Sequence, residues 1–190
     1  IPRIAHGGAP IYERKLSLNE LSQRFDTVYH PYHAALTALV KDTRNTFGVC
    51  FLVDCHSMPS DADANRPLDD IVLGDRFGGS CSGQFTHIIE QALSAKGYKV
   101  ARNAPYAGGH VTMTHGRPER SRHAIQIEIN RRLYMDEKSV EPLSNMVCLK
   151  QDLEDVFRDV SAWARDISDD IMSSPTFNRK KAASLKTRPK

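Results

Sequence analysis

The reactive side chains of this chain gather at the ends of short apolar runs. Asp54 and His56 follow the run 49–53, Asp75 and Arg76 follow 71–73, and Asn103 follows 98–102. Glu128, Asn130 and Arg131 close an alternating segment. Burying a carboxylate or an imidazole without partners costs several kcal/mol, so so much polarity at strand ends points to one shared cleft holding a metal, an anion or both. His56 would be delivered by a rigid strand to the sheet edge, where its ring nitrogen can ligate an ion. The alternative is a hydrogen-bonded histidine at a loop start, and a zinc site needs three protein ligands. Asp54, two residues earlier, points the same way and can orient that ring or cap a loop. Glu128 lies mid-strand on a polar face. If water has little access there its pKa rises and it suits general base or acid work, whereas on an edge strand it is a solvated carboxylate. One of Arg131 and Arg132 offers a guanidinium fork to a substrate carboxylate, and the other is a surface charge. The segment Tyr106-Ala107-Gly108-Gly109-His110 permits close backbone approach to a ligand, or is a tight turn, and lacks the spacings of nucleotide-binding loops.

These groups need elements to position them. Ser17-Leu18-Asn19-Glu20 is a capping box, with Leu18, Leu21, Phe25 and Val28 at helical spacing after it, and the helix kinks or restarts at Pro31. Residues 32–46 resume the helix. The run 49–53 reads as a strand covered on both faces that ends at Asp54, and 70–76 as a second short strand. A helix over 82–96 carries Phe85, Ile88, Ile89 and Leu93 on one face and stops at Gly97, before a strand over 98–103. In 124–130, Ile125, Ile127 and Ile129 alternate with Gln126, Glu128 and Asn130. A last helix over about 148–172 repeats Leu149, Leu153, Val156, Val160, Trp163 and Ile167. Strands alternating with helices predict an α/β fold with a mixed, largely parallel sheet sandwiched between helices, and a ligand crevice at one sheet edge.

At 190 residues and 40% hydrophobic content the chain is sized for one core. The expected organisation is a single α/β hydrolase-type domain over 1–177, lacking an N-terminal segment, with a flexible basic tail over 178–190. No apolar stretch is long enough to span a membrane. The net charge of +3 comes from that tail, which holds six basic residues and no acid. The remainder is slightly acidic, which argues against a nucleic-acid partner. Cys50, Cys55, Cys81 and Cys148 show no C-x-x-C spacing and read as reduced thiols of a cytoplasmic protein. Oligomeric state is left open.

Taken together, Val53-Asp54-Cys55-His56-Ser57-Met58-Pro59, Asp70-Ile71-Val72-Leu73-Gly74-Asp75-Arg76, Asn103-Ala104-Pro105-Tyr106-Ala107-Gly108-Gly109 and Gln126-Ile127-Glu128-Ile129-Asn130-Arg131 closely resemble the N-formylglutamate amidohydrolase family, with Tyr29-His30-Pro31-Tyr32-His33 also matching. The resemblance implies a fold like that of the zinc carboxypeptidases and hydrolysis of N-formyl-L-glutamate to formate and glutamate in histidine breakdown. By position it implies that His56 is a zinc ligand and Glu128 the general base. Asn103, Tyr106 and Arg131 fall in motifs that line the pocket for a small-molecule N-acyl amino acid. Imidazole plus carboxylate suits zinc and also admits cobalt, nickel or iron. The family's other two ligands, a His followed by an acidic residue, are expected upstream of Ile1. Arg3-Ile4-Ala5-His6-Gly7-Gly8 resembles that element superficially but lacks the acid. A related N-acyl amino acid amidohydrolase and a non-catalytic amino-acid-binding relative remain as alternatives.

Overall fold

The computed structural model describes residues 2–5, 8–61 and 68–175. They fall into two compact units divided between Leu39 and Val40. His6 and the basic tail lie outside the described residues.

In the first unit, α1 (Leu18–Arg24) starts on the expected capping box: Ser17 Oγ accepts from the Glu20 amide, and Glu20 accepts from the Ser17 amide at 2.8 Å. The interruption before Pro31 takes the form of a π-helical stretch, Phe25–Tyr29, that leads into α2 (His30–Phe47). Proline has no amide hydrogen to donate, and a wider turn absorbs the lost hydrogen bond without ending the helix.

The second unit is built on β1 (Cys50–Met58), β2 (Ile71–Gly74), α3 (Gly83–Ala95), β3 (Val100–Arg102), α4 (His110–His115), β4 (Arg122–Asn130) and α5 (Met146–Ser173), with a two-stranded ribbon of 135–136 and 141–142 before α5. The four main strands lie in the order β1-β4-β2-β3. The β1–β4 and β2–β3 pairs are parallel and β2–β4 is antiparallel, giving the expected mixed sheet. One face is apolar because alternation sends Phe51, Val53, Ile71, Leu73, Ile125 and Ile127 to it. There they meet Phe85, Ile89 and Leu93 of α3 and Val156, Val160 and Trp163 of α5. Phe51 and Phe85 pack on the Trp163 ring with centroids 4.8 and 5.8 Å away. Helix α3 begins on Ser82, whose hydroxyl accepts from the Phe85 amide.

The opposite face carries Asp54, His56 and Met58 of β1, Val72 of β2 and Gln126, Glu128 and Asn130 of β4. Its cover includes α4 and a small apolar cluster of Met58, Leu68 and Val72, against which Ala101 and Tyr106 pack. Two sequence expectations change here. The first strand does not end at Val53. Its ladder with β4 continues through Asp54↔Gln126, His56↔Glu128 and Met58↔Asn130, so Asp54 and His56 lie within the strand. And β4 is an interior strand, flanked on both sides, which excludes the solvated-edge reading of Glu128.

Candidate active site

Glu128 is 5% exposed. Its Oε1 accepts from Gln126 Nε2 at 2.5 Å and lies 3.6 Å from His56 Nδ1. Burial pushes the Glu128 carboxyl above the ordinary carboxylate range. Nearby Asp54 adds to that shift, while His56 and the Gln126 hydrogen bond oppose it. The parallel register that puts His56 opposite Glu128 is what brings the two groups together.

The His56 ring is half-exposed. Its other nitrogen, Nε2, is 3.2 Å from Asp54 Oδ2 but out of line for a hydrogen bond, so that buried oxygen has no donor. Gln126 Oε1, on the same face, is also buried without a donor. Acceptors left bare in a buried site call for a cation or for a ligand bearing hydrogen-bond donors. The donor chemistry of Asp54, His56 and Glu128 therefore suits a divalent metal in kind. Among the described residues, however, no three His, Cys, Asp or Glu side chains are placed to hold one ion. These residues fit such an ion as part of a ligand set, not as a whole one.

The remaining expected residues have distinct places. Tyr106 packs against the cluster of Met58, Leu68 and Val72, and Val72 pairs with Glu128, so Tyr106 borders the site. Asn103 is committed within the protein. Its Oδ1 accepts from the amides of Asp75 and Phe77 at 3.1 and 3.3 Å, and its Nδ2 donates to Asp75 Oδ1 at 2.8 Å. Asp75, buried at a strand end, also accepts from the Gly78 amide and from Thr86 Oγ1. Burial raises its pKa, but these hydrogen bonds outweigh that and hold the carboxyl below its usual value. Arg131 donates to Ser57 Oγ at 3.4 Å and lies 3.7 Å from Glu137, while Arg132 pairs with Asp70 at 2.7 Å. Neither guanidinium is wholly free for a ligand.

Gln126 was not singled out from the sequence, although it follows the same alternation as Glu128. Its neighbour over the face is Gly109, where an added Cβ would come within 3.0 Å of Gln126 Oε1. Gly74 lies against the same loop and could carry no side chain, since a Cβ there would stand 2.6 Å from Gly108 N. An open groove of about 490 Å³ lined by Arg24, Phe25, Val28, Tyr29, Tyr32 and His33 belongs to the other unit and contains none of the expected site residues.

Fold and site together define a mixed α/β protein in which a buried carboxylate on an interior strand meets an imidazole on the neighbouring parallel strand, on the polar face of the sheet. The chain belongs to the N-formylglutamate amidohydrolase family, whose model matches residues 1–135. It is similar to the N-formylglutamate deformylases of Pseudomonas aeruginosa and Pseudomonas putida, each 29% identical over 174 residues. Those alignments cover 87% of this chain and 65% and 64% of the relatives, so the chain spans just under two thirds of their length. A crystal structure of N-formylglutamate amidohydrolase from Ralstonia eutropha JMP134 superposes with a TM-score of 0.73 at 38% identity, over 86% of this chain and 58% of that one.

Proposed function

We propose that this protein hydrolyses the formyl amide of N-formyl-L-glutamate to formate and L-glutamate, with a divalent metal, zinc foremost, held by His56 and by ligands outside the described residues. The observation that carries this is the 3.6 Å approach of His56 to a buried, pKa-raised Glu128 on a family fold whose named relatives are deformylases and amidohydrolases. When bound, the metal would polarise the formyl carbonyl and acidify a water. Glu128 takes the proton of the attacking water and delivers it to the leaving amine nitrogen. Its burial raises its pKa, which favours holding and passing on that proton. Asp54 sets a bare carboxylate oxygen beside the His56 ring, and Tyr106 bounds the site on the β2 side. Reaction in the cytoplasm, within histidine breakdown, completes the proposal.

The test is formate release from N-formyl-L-glutamate by the wild type and by Glu128→Gln, with metal content measured on both. Loss of a proton-transfer group lowers turnover by about 10²–10⁴-fold. Retained turnover in the variant with metal bound refutes the assignment of the base. Parallel assays on acetyl and succinyl glutamates identify the acyl group. A second reading, an amino-acid-binding protein without turnover, is favoured by the incomplete ligand set among the described residues. Metal-free, well-folded protein that binds L-glutamate would establish it.

A further inference from the structure

The loop after β2 is held in an unusual backbone conformation. Arg76 and Phe77 have φ of +55° and +57°, followed by Gly78 at +80°. Consecutive non-glycine residues in the left-handed region cost of order 1 kcal/mol each and persist only where surrounding structure imposes them, commonly at binding sites. The imposing groups are Asn103 and Asp75, whose side-chain hydrogen bonds pin the amides of Asp75, Phe77 and Gly78, and the Ala107 carbonyl, which accepts from the Arg76 amide at 2.8 Å.

This conformation directs the Arg76 side chain along Gly108, where a Cβ would lie 3.2 Å from Arg76 Cγ. Gly108 in turn covers Gly74 on the face that carries Gln126 and Glu128. The Arg76 guanidinium has no hydrogen-bond or ion-pair partner among the described residues. Several other arginines are engaged: Arg102 is paired with Glu90, Arg117 with the carbonyls of Met113 and Gly116, Arg131 with Ser57 and Glu137, and Arg132 with Asp70. Arg76 is exposed, so its fork is open to a ligand carboxylate, while the strained loop fixes the backbone from which the side chain starts.

We infer that Arg76 is the specificity-determining cation that binds the side-chain carboxylate of the substrate, and that Asn103 and Asp75 are positioning residues for its loop. The inference rests on the proposed N-formylglutamate reaction. Val72 pairs with Glu128, β2 ends at Gly74, and Arg76 stands two residues beyond it, in the turn that leaves the sheet. An arginine side chain is long enough to reach back from that turn toward the polar face, with the bound substrate spanning the rest. With the formyl group at Glu128, the far carboxylate is the one that reaches Arg76, and the α-carboxylate stays near the reacting centre.

The experiment compares wild type, Arg76→Ala and Arg76→Lys on N-formyl-L-glutamate and on its neutral isostere N-formyl-L-glutamine, with calorimetric binding of L-glutamate and L-glutamine alongside. Arg76→Ala is expected to raise KM for the glutamate substrate by roughly 10- to 100-fold with kcat little changed, and to leave kcat/KM on the glutamine substrate close to wild type. Arg76→Lys should recover part of the loss. An equal loss on both substrates, or none, overturns the inference. If the wild type hydrolyses neither compound, the proposed reaction fails and the calorimetry decides the role of Arg76. L-glutamate binding that is lost only in Arg76→Ala upholds it, and binding that is absent or unchanged refutes it.

Discussion

Replacing Gly74 by alanine places a methyl group where the backbone of another segment already lies. The new Cβ would stand 2.6 Å from Gly108 N, 2.8 Å from the Ala107 carbonyl carbon and 3.0 Å from Gly108 Cα. Ordinary contact begins near 3.4 Å, so the two backbones have to part by about 0.8 Å. Neither yields easily. Gly74 is paired to Gln126 in the sheet, and the 107–109 loop is tied to Arg76 through the Ala107 carbonyl. Overpacking of this kind costs about 1–3 kcal/mol, and contact with backbone on both sides places this case in the upper half of that range. For a chain of this size 1 kcal/mol moves Tm by about 2–4 °C, so Gly74→Ala should melt roughly 4–12 °C below wild type. Moving the loop also shifts Gly109 off Gln126, so formate release should fall at temperatures where the variant is still folded. Thermal melts followed by circular dichroism read the first effect and a formate assay the second. Gly83→Ala is the control. Gly83 has nothing within 4 Å of its would-be Cβ and opens α3, where alanine is the better helix former. A Gly74→Ala protein that melts within about 1 °C of wild type, or a Gly83→Ala protein that loses as much as Gly74→Ala, would refute the close-approach argument.

Other expectations follow from buried polar groups. Asn130, fully buried, donates to the carbonyls of Asp69, Leu68 and Ser60 and accepts from the Arg132 amide. Asn130→Ala should therefore cost about 1–3 kcal/mol in a denaturant titration. Asp75 has a folded-state pKa below its unfolded value of about 3.9, so its stabilising contribution is complete above that pH and is lost as pH falls through the folded pKa. The Tm difference between wild type and Asp75→Asn should hold steady from about pH 7 to 5 and shrink on further acidification; a difference that widens in acid would contradict the depressed pKa.

Local pattern carried much of this protein. The alternation in 124–130 placed Ile125 and Ile127 against Gln126, Glu128 and Asn130. The capping box marked the first helix, and Ser82 and the Phe85–Leu93 face marked α3. Each of these signals is written within a few residues, where backbone geometry imposes a period of 2 or 3.6. The four motif blocks carried the family and the pairing of His56 with Glu128 as candidates.

What local pattern could not contain was who lies next to whom. Whether Glu128 is solvated or buried depends on β2 pairing with one edge of β4 and β1 with the other, a choice made by residues more than fifty positions away. The same pairing extended β1 past Val53, because partner strand hydrogen bonds hold polar residues in a strand that their own propensity would end. Asn103 and Asp75, which look like ligand-binding groups at strand ends, proved to be each other's partners across 28 residues. Side-chain chemistry was thus written in the sequence, whereas exposure, partnership and pKa were decided only when distant strands fixed the distances between those side chains.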